Sequence, residues 1–298
     1  MRENPFRSPG RWLPTAIHVH TDHSDGRVSP QEALRTYAAA GYEAMIFGDH
    51  ECVTVPDDGP EGMLVIPGAE WAARFPDEPA GMHFMAVGMR AGAAGQLAGL
   101  KDDPYAVAEA LSGLCDYLVL AHPYWSALTT ELIARLPEMP ALEVYNHGCE
   151  LEDALGVSSY VWDQLLARGR RWDGVAVDDA HWRIDDACAA RVMVKVAEPT
   201  AGEVIRALRA GLFYSTTGPE ILDLEFLAPR HLAVTTSPAA SILFRCNGSL
   251  GSGLHAAGAG AALTQADHKL PDRARFVRVE VTDAAGRKAW TNPFYLDG

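Results

Sequence analysis

The sequence predicts an α/β fold: a closed or nearly closed parallel barrel over residues 1–218 and a small antiparallel β unit over 219–298. Three observations carry this expectation. Short apolar runs alternate with capped, amphipathic stretches, giving strand–helix–strand units of about thirty residues. Titratable residues gather where the apolar runs stop, as they do at the functional end of a βα barrel. After Gly218-Pro219 the helical period disappears, and strand-like segments separated by turn residues remain.

Residues 1–14 carry three prolines and read as an irregular lead-in. Ala16, Ile17 and Val19 mark a strand over 15–20. Ser29 caps the next helix, Pro30 takes its first position and Glu32 closes a capping box; Leu34, Tyr37 and Ala38 form its apolar face and Gly41 ends it. A strand over 44–47 runs into Gly48-Asp49-His50. A second, over 63–69, ends at Glu70, and a third, over 82–89, passes through His83. Asp103 caps a helix over 104–115 with Val107, Leu111 and Leu114 on one face. The strand 117–121 ends in His122-Pro123, a short helix covers 130–136, and the strand 141–145 ends in Asn146-His147. A helix over 159–168 stops at Gly169. The strand 174–177 ends in Asp178-Asp179-Ala180-His181. After a strand at 191–197, Thr200 and Glu203 form a second capping box for a helix closed by Gly211. In the tail, 221–226, 241–245, 275–282 and 288–295 read as strands. The Gly/Ala/Ser-rich 248–262 reads as a flexible loop, without the lysine or the strand–loop–helix setting of a phosphate cradle.

Composition narrows the function. The chain has 298 residues, 48% hydrophobic and 21% charged, which suits a globular protein with a sizeable core. A net charge of −14 argues against duplex nucleic acid and anionic membrane as partners, because both need a basic track. It leaves room for a small, phosphorylated substrate. The five cysteines (52, 115, 149, 188 and 246) form no C-x-x-C pair and are odd in number, as expected of reduced thiols in a cytoplasmic protein. No secretory signal and no run of about 20 apolar residues is evident. Self-association into a homo-oligomer is left open.

His18 and His20 stand two apart on a strand and so point to one side, with Asp25 just beyond: half of a divalent-metal site. His50, Glu70, His83, His122, Asp179 and His181 stand at later strand ends. Each has an ordinary explanation by itself: Glu70 as a loop carboxylate, His83 as a strand histidine, Asp179 as a helix cap. Nine such residues at one end of successive units point instead to two or three ions sharing a bridging carboxylate.

The motifs His-x-His-Thr-x-x-Ser-Asp-Gly (18–26), Asp-His (49–50), Pro-Gly-x-Glu (67–70), His83, His-Pro (122–123) and Asp-Ala-His (179–181) resemble, in order, those of the PHP (polymerase and histidinol phosphatase) superfamily over 15–218. Residues 211–220 and 289–296 resemble its CehA/McbA-like branch. The resemblance implies a distorted (β/α)7 barrel with a trinuclear site. One ion would take His18, His20, Glu70 and Asp179; a second Glu70, His83 and His122; a third Asp25, His50 and His181. Zinc, manganese and iron all suit such ligands. It places catalysis on His18, His20, Glu70, Asp179 and His181. The sequence departs from the family pattern at Gly48, at Glu51, which adds negative charge, and at Asp178.

The expected chemistry is metal-activated hydroxide attacking phosphorus in line, with no Ser nucleophile elbow. Arg27 and Arg183 adjoin the ligand motifs and are the candidate phosphate clamps; Tyr124, with Trp125, is a candidate ring platform. Residues 143–147 end a strand at the same face. The reading is a phosphoesterase acting on a small phosphorylated metabolite or nucleotide. Its alternatives are a metallohydrolase of a carboxylic ester or carbamate, and a catalytically idle metal-binding module.

Overall fold

A computed structural model describes residues 2–76, 81–90, 92–97 and 99–296. Positions 1, 297 and 298, at the ends of the two expected units, lie outside the described residues. The chain begins β1 (Arg11–Ile17), α1 (Pro30–Ala39), β2 (Ala44–Ile46), β3 (Leu64–Ile66), β4 (Gly68–Arg74), β5 (Gly81–Val87), α2 (Pro104–Leu114), β6 (Tyr117–Leu120), α3 (Thr130–Ile133) and β7 (Ala141–Asn146). It continues through α4 (His147–Asp153), α5 (Ser159–Ala167), β8 (Asp173–Val177), β9 (Arg191–Val196), α6 (Ala201–Ala210) and β10 (Phe213–Thr216). Eight strands complete it: β11 (Ile221–Ala228), β12 (His231–Ala239), β13 (Ser241–Cys246), β14 (Gly248–Ala256), β15 (Leu263–Lys269), β16 (Phe276–Thr282), β17 (Lys288–Thr291) and β18 (Phe294–Tyr295).

The helices start where the sequence places their caps. Ser29, Asp103 and Thr200 each accept a hydrogen bond from a backbone N–H in the first turn that follows.

The expected distorted (β/α)7 barrel is not what forms. Helices hold 19% of the chain, and the strands fall into separate mixed sheets without closing. One sheet runs β14-β13-β16-β17-β10-β9-β1-β2-β3, a second β4-β5-β6-β7-β8, and a third β11-β12-β15. The physical reason lies in the connections. A parallel pair needs a crossover of a dozen or more residues, usually a helix. The six residues between β4 and β5 are too few for one, and that pair is antiparallel. β1–β9, β9–β10 and β5–β6 are antiparallel as well. Parallel pairing survives in β1–β2–β3 and β6–β7–β8.

The first two sheets share an apolar cluster that includes Ile17, Ile46, Val87, Val119, Val175 and Val192. A second cluster joins β4–β8 to α2 and α5 through Phe84, Leu111, Leu120, Leu142, Trp162 and Trp172. Isolated parallel bridges at Val19↔Ala180 and His50↔Glu70 tie the sheets where the metal-ligand candidates lie.

In the tail, all four expected segments form strands, the last split into β17 and β18, and β12, β14 and β15 join them. Gly248–Ala256 is a strand antiparallel to β13, not a flexible loop. Its composition is a poor strand signal, but a partner edge outweighs local propensity. β17 pairs with β10, setting Thr291 opposite Tyr214, so the tail continues the long sheet. Among the described residues, no helix is long and apolar enough to cross a membrane. The five cysteines are free.

Gly174 shows how tightly β8 packs on α5. A Cβ there would lie 2.7–3.0 Å from the indole carbons of Trp162, whose Nε1–H donates to the Trp172 carbonyl. Gly174→Ala should therefore cost about 1–3 kcal/mol through overpacking. Urea unfolding checks it; an unchanged midpoint would show that the indole moves freely.

Candidate metal centre

The centre is built where β1 stops. His18 follows the last residue of that strand in a left-handed conformation, φ 71°. Its N–H donates to Ile46 O at 3.1 Å and its carbonyl accepts from Asp179 N at 2.9 Å. His20 N–H donates to Ala180 O at 3.0 Å. The segment is thus laced between the end of β2 and residues 179–180. His122 and Asp179 also have positive φ, 26° and 52°. Such backbone is costly for residues other than glycine, and it concentrates at working sites.

All nine sequence-derived ligand candidates converge. Glu70 is the hub. Its Oε1 lies 3.0 Å from His83 Nδ1 and 3.1 Å from His122 Nε2; its Oε2 lies 3.1 Å from His50 Nδ1 and 3.4 and 3.5 Å from the Nε2 atoms of His18 and His20. Asp25 reaches His181 Nε2 at 3.4 Å and His50 Nε2 at 3.8 Å. Three groups have ligand atoms close enough to share an ion: His20, Asp25, His50 and His181; His18, His20 and Glu70; Glu70, His83 and His122. The strand positions differ from expectation. Glu70 lies inside β4 and His83 inside β5, not at the C-terminal rim of a barrel.

The donor chemistry fits divalent cations. Asp179 Oδ1 is buried and has no hydrogen-bond partner, yet it lies 3.1 and 3.0 Å from the Nε2 atoms of His18 and His20. A buried carboxylate oxygen left without a donor is expensive unless a cation meets it. Charge tells the same story. Burial opposes a proton on His18, but Asp179, Glu70 and Glu143 hold its pKa well above the ordinary imidazole value. His122 is raised against burial by its hydrogen bond to Glu70. Burial would raise Glu70 and Asp179, but the histidines hold both well below the carboxylate range. Burial lowers His50.

The cavity beside these groups is lined by Trp125, Gly148, Cys149, Glu152, Arg183 and Asp186 together with ligand candidates. Arg183 donates to Asp25 Oδ2 at 3.0 Å. Arg27 is exposed and Tyr124 is 47% exposed; neither lines the cavity, and Trp125 stands in its wall with its ring 5.0 Å from that of His122. Glu51 turns to an ion pair with Lys101.

Sequence reasoning placed Asp49, Asp178 and residues 143–147 beside the ligand candidates but gave none of them a holding role. Asp49 is fully buried and accepts from Thr21 N, Thr21 Oγ1, Ser24 Oγ and Thr54 Oγ1 at 2.7, 2.8, 2.8 and 2.5 Å. It fixes the loop that carries Asp25. Asp178, pushed up to about 7 by burial, accepts from Tyr37 and three backbone N–H groups. Asp186 accepts from the N–H of His181 and of Trp182. Glu143 and Asn146 face the ligands from β7. A carboxylate in the middle of an otherwise apolar strand was the available signal for Glu143.

The chain is similar to several solved structures. A two-domain protein from Bacteroides vulgatus containing a predicted PHP-like metal-dependent phosphoesterase aligns over 95% of each chain, at 16% identity and a TM-score of 0.50. A protein from Bifidobacterium adolescentis named as a metal-dependent phosphoesterase aligns over 58% of this chain and 89% of its own, at 16% identity and a TM-score of 0.40. An amidohydrolase from Chromobacterium violaceum aligns over 67% and 96%, at 15% identity and a TM-score of 0.42. No family model and no curated protein matches the sequence. The chain shares its overall fold with the Bacteroides vulgatus protein.

Metal binding should expel protons. His18 and His122 have raised pKa values, so protons compete with a cation up to higher pH than at an ordinary imidazole. Affinity should therefore rise with pH and fall as those rings are protonated. Zinc calorimetry on the metal-free protein, in buffers of differing ionisation enthalpy, should show proton release and weaker binding at about pH 6 than at about pH 8. Equal affinity at both would contradict the charge balance described.

Proposed function

We propose that this chain is a metal-dependent hydrolase and, more narrowly, a phosphoesterase for a small phosphorylated molecule. The convergence of three His/carboxylate groups on one cavity carries the reading, with His20 and Glu70 each common to two of them. His18, His20, Glu70 and Asp179 would hold one ion; Glu70, His83 and His122 a second; Asp25, His50 and His181 a third. Two or three divalent ions of zinc, manganese or iron suit that donor set. Once bound they supply Lewis-acid stabilisation of phosphoryl charge and a water acidic enough to attack at neutral pH.

The chain's own residues do the rest. Glu70, spread between five imidazoles, keeps the ligands in one block. Arg183, at the cavity wall, is placed to meet an anionic oxygen. Trp125 offers a planar face to the leaving group. The cavity, about 180 Å³, suits a compact group and not a polymer.

One observation favours a second reading, hydrolysis of a carboxylic ester or carbamate. The arginine lining the cavity is already paired with Asp25, and Glu152 and Asp186 also line it, so the mouth is acidic. Phosphate release from a phosphomonoester panel, set against alcohol release from aryl esters, separates the two. Chelator-treated protein should be inactive on either panel; inactivity of metal-replete protein on both would leave an idle module.

His20→Ala and Asp179→Ala should lower bound metal and turnover together, turnover by about 100-fold or more. Arg183→Ala should keep its metal and raise KM for an anionic substrate by about 10-fold. Elemental analysis beside steady-state kinetics checks both. Full metal and full turnover in His20→Ala would refute the site.

A further inference from the structure

Glu143 and Asn146 stand three residues apart on β7, and strict strand alternation would turn them to opposite faces. They face the same way because β7 is bulged. Glu143 opposes Val175 on β8, whereas Tyr145 opposes Ala176, so one extra residue is accommodated between them. As a result Asn146 Nδ2 donates to Glu143 Oε2 at 2.8 Å. Both side chains are fully buried.

The hydrogen bonds around this pair leave no freedom. Asn146 Oδ1 accepts from Cys149 N at 3.0 Å, capping α4. Its amide must then point its two N–H groups elsewhere, and they reach Glu143 Oε2 and Asp179 Oδ2, the latter at 3.0 Å. Glu143 is surrounded by donors: His18 Nδ1 at 2.6 Å on Oε1, and the His122 backbone N–H at 2.8 Å together with Asn146 on Oε2. With Glu143 accepting from all three, His18 donates from Nδ1 and presents Nε2 to the cluster. Asp179, held through Oδ2, is left with Oδ1 free of hydrogen bonds beside the same Nε2.

We infer that Glu143 and Asn146 are positioning residues that act as one unit: together they set the His18 tautomer and aim Asp179 Oδ1, and so complete the ion position that His18, His20, Glu70 and Asp179 share. The inference rests on the metal-binding reading above but assigns to β7 a part that none of the ligand motifs supplies. It explains why a charged residue and an amide are buried in a strand whose neighbours Leu142 and Val144 belong to the apolar cluster.

The test is zinc affinity of the full-length protein, measured by competition with a chromophoric chelator, for wild type, Glu143→Gln and Asn146→Ser. Gln has the size of Glu, but its amide N–H groups must face one of three donors. Ser still caps α4 but lacks the two amide donors. In each variant one equivalent of zinc should bind about 10–100-fold more weakly while the remaining equivalents keep their affinity. The downfield Nδ1–H proton signal of His18 in the zinc-loaded protein should shift or vanish in Glu143→Gln. If that variant fails to fold, Asn146→Ser carries the test. A wild type that binds no zinc would overturn the metal reading and this inference together. A wild type that binds, with both variants within twofold of it at every equivalent, would overturn this inference and leave the metal reading standing.

Discussion

Buried negative charge is the constraint on which this structure turns. Asp49, Glu70, Glu143, Asp178 and Asp179 are all buried within a short stretch of space where β1, β4, β7 and β8 meet. A carboxylate taken out of water must find donors or a cation. Three of the five find donors for both oxygens. Asp49 collects hydroxyls and an N–H, Asp178 collects Tyr37 and the backbone of 188–190, and Glu143 collects an imidazole, an amide and an N–H. Glu70, and Asp179 through the Oδ1 that Asn146 does not reach, face imidazole nitrogens, and those nitrogens can bind a cation as readily as they donate. The division separates carboxylates that build the site from carboxylates that would bind within it.

The sheets exist, in this light, to bring two sets of side chains to one place. The long sheet contributes His18 and His20 just beyond β1, and His50 beyond β2. The second sheet contributes Glu70 and His83 from inside paired antiparallel strands, and His122 and Asp179 from just beyond parallel ones. Ligand candidates inside β4 and β5 are held by continuous ladders; those beyond strand ends are held by left-handed backbone and by bridges between the sheets. The apolar cluster common to both sheets fixes their separation. A site assembled from both therefore needs no closed barrel.

The tail is joined to this frame by polar as well as apolar contacts. Arg278 on β16 is fully buried, stacks over the Trp162 ring at 4.5 Å, and pairs with Asp163 on α5 and Glu280. Desolvation offsets much of the attraction within a buried ion pair, so breaking one partner costs more than the pair adds. Together with the β10–β17 ladder these contacts hold the tail against the helix that packs on β7 and β8.

The nine ligand candidates were legible in the sequence because metal chemistry demands particular residue types, and His-x-His, Asp-His and Asp-x-His pairs stand out in any chain. The helix caps and most strands were legible because they depend on neighbours a few residues away. The barrel was an error of inference from rhythm: strand–helix alternation resembles a parallel barrel until connection lengths and the pairing partner of each strand are known. The roles of Glu143, Asn146 and Asp49 stayed hidden because they depend on partners 21 to 125 residues away. The strand at 248–256 stayed hidden because its Gly-rich sequence becomes a strand only against the edge of β13. The sequence by itself determined which atoms can bind a metal ion, since ligand identity is a property of single residues. Tertiary structure alone decided which of them meet, in what tautomer and at what distance, because those follow from sheet pairing, a one-residue bulge and the solvation of buried charge.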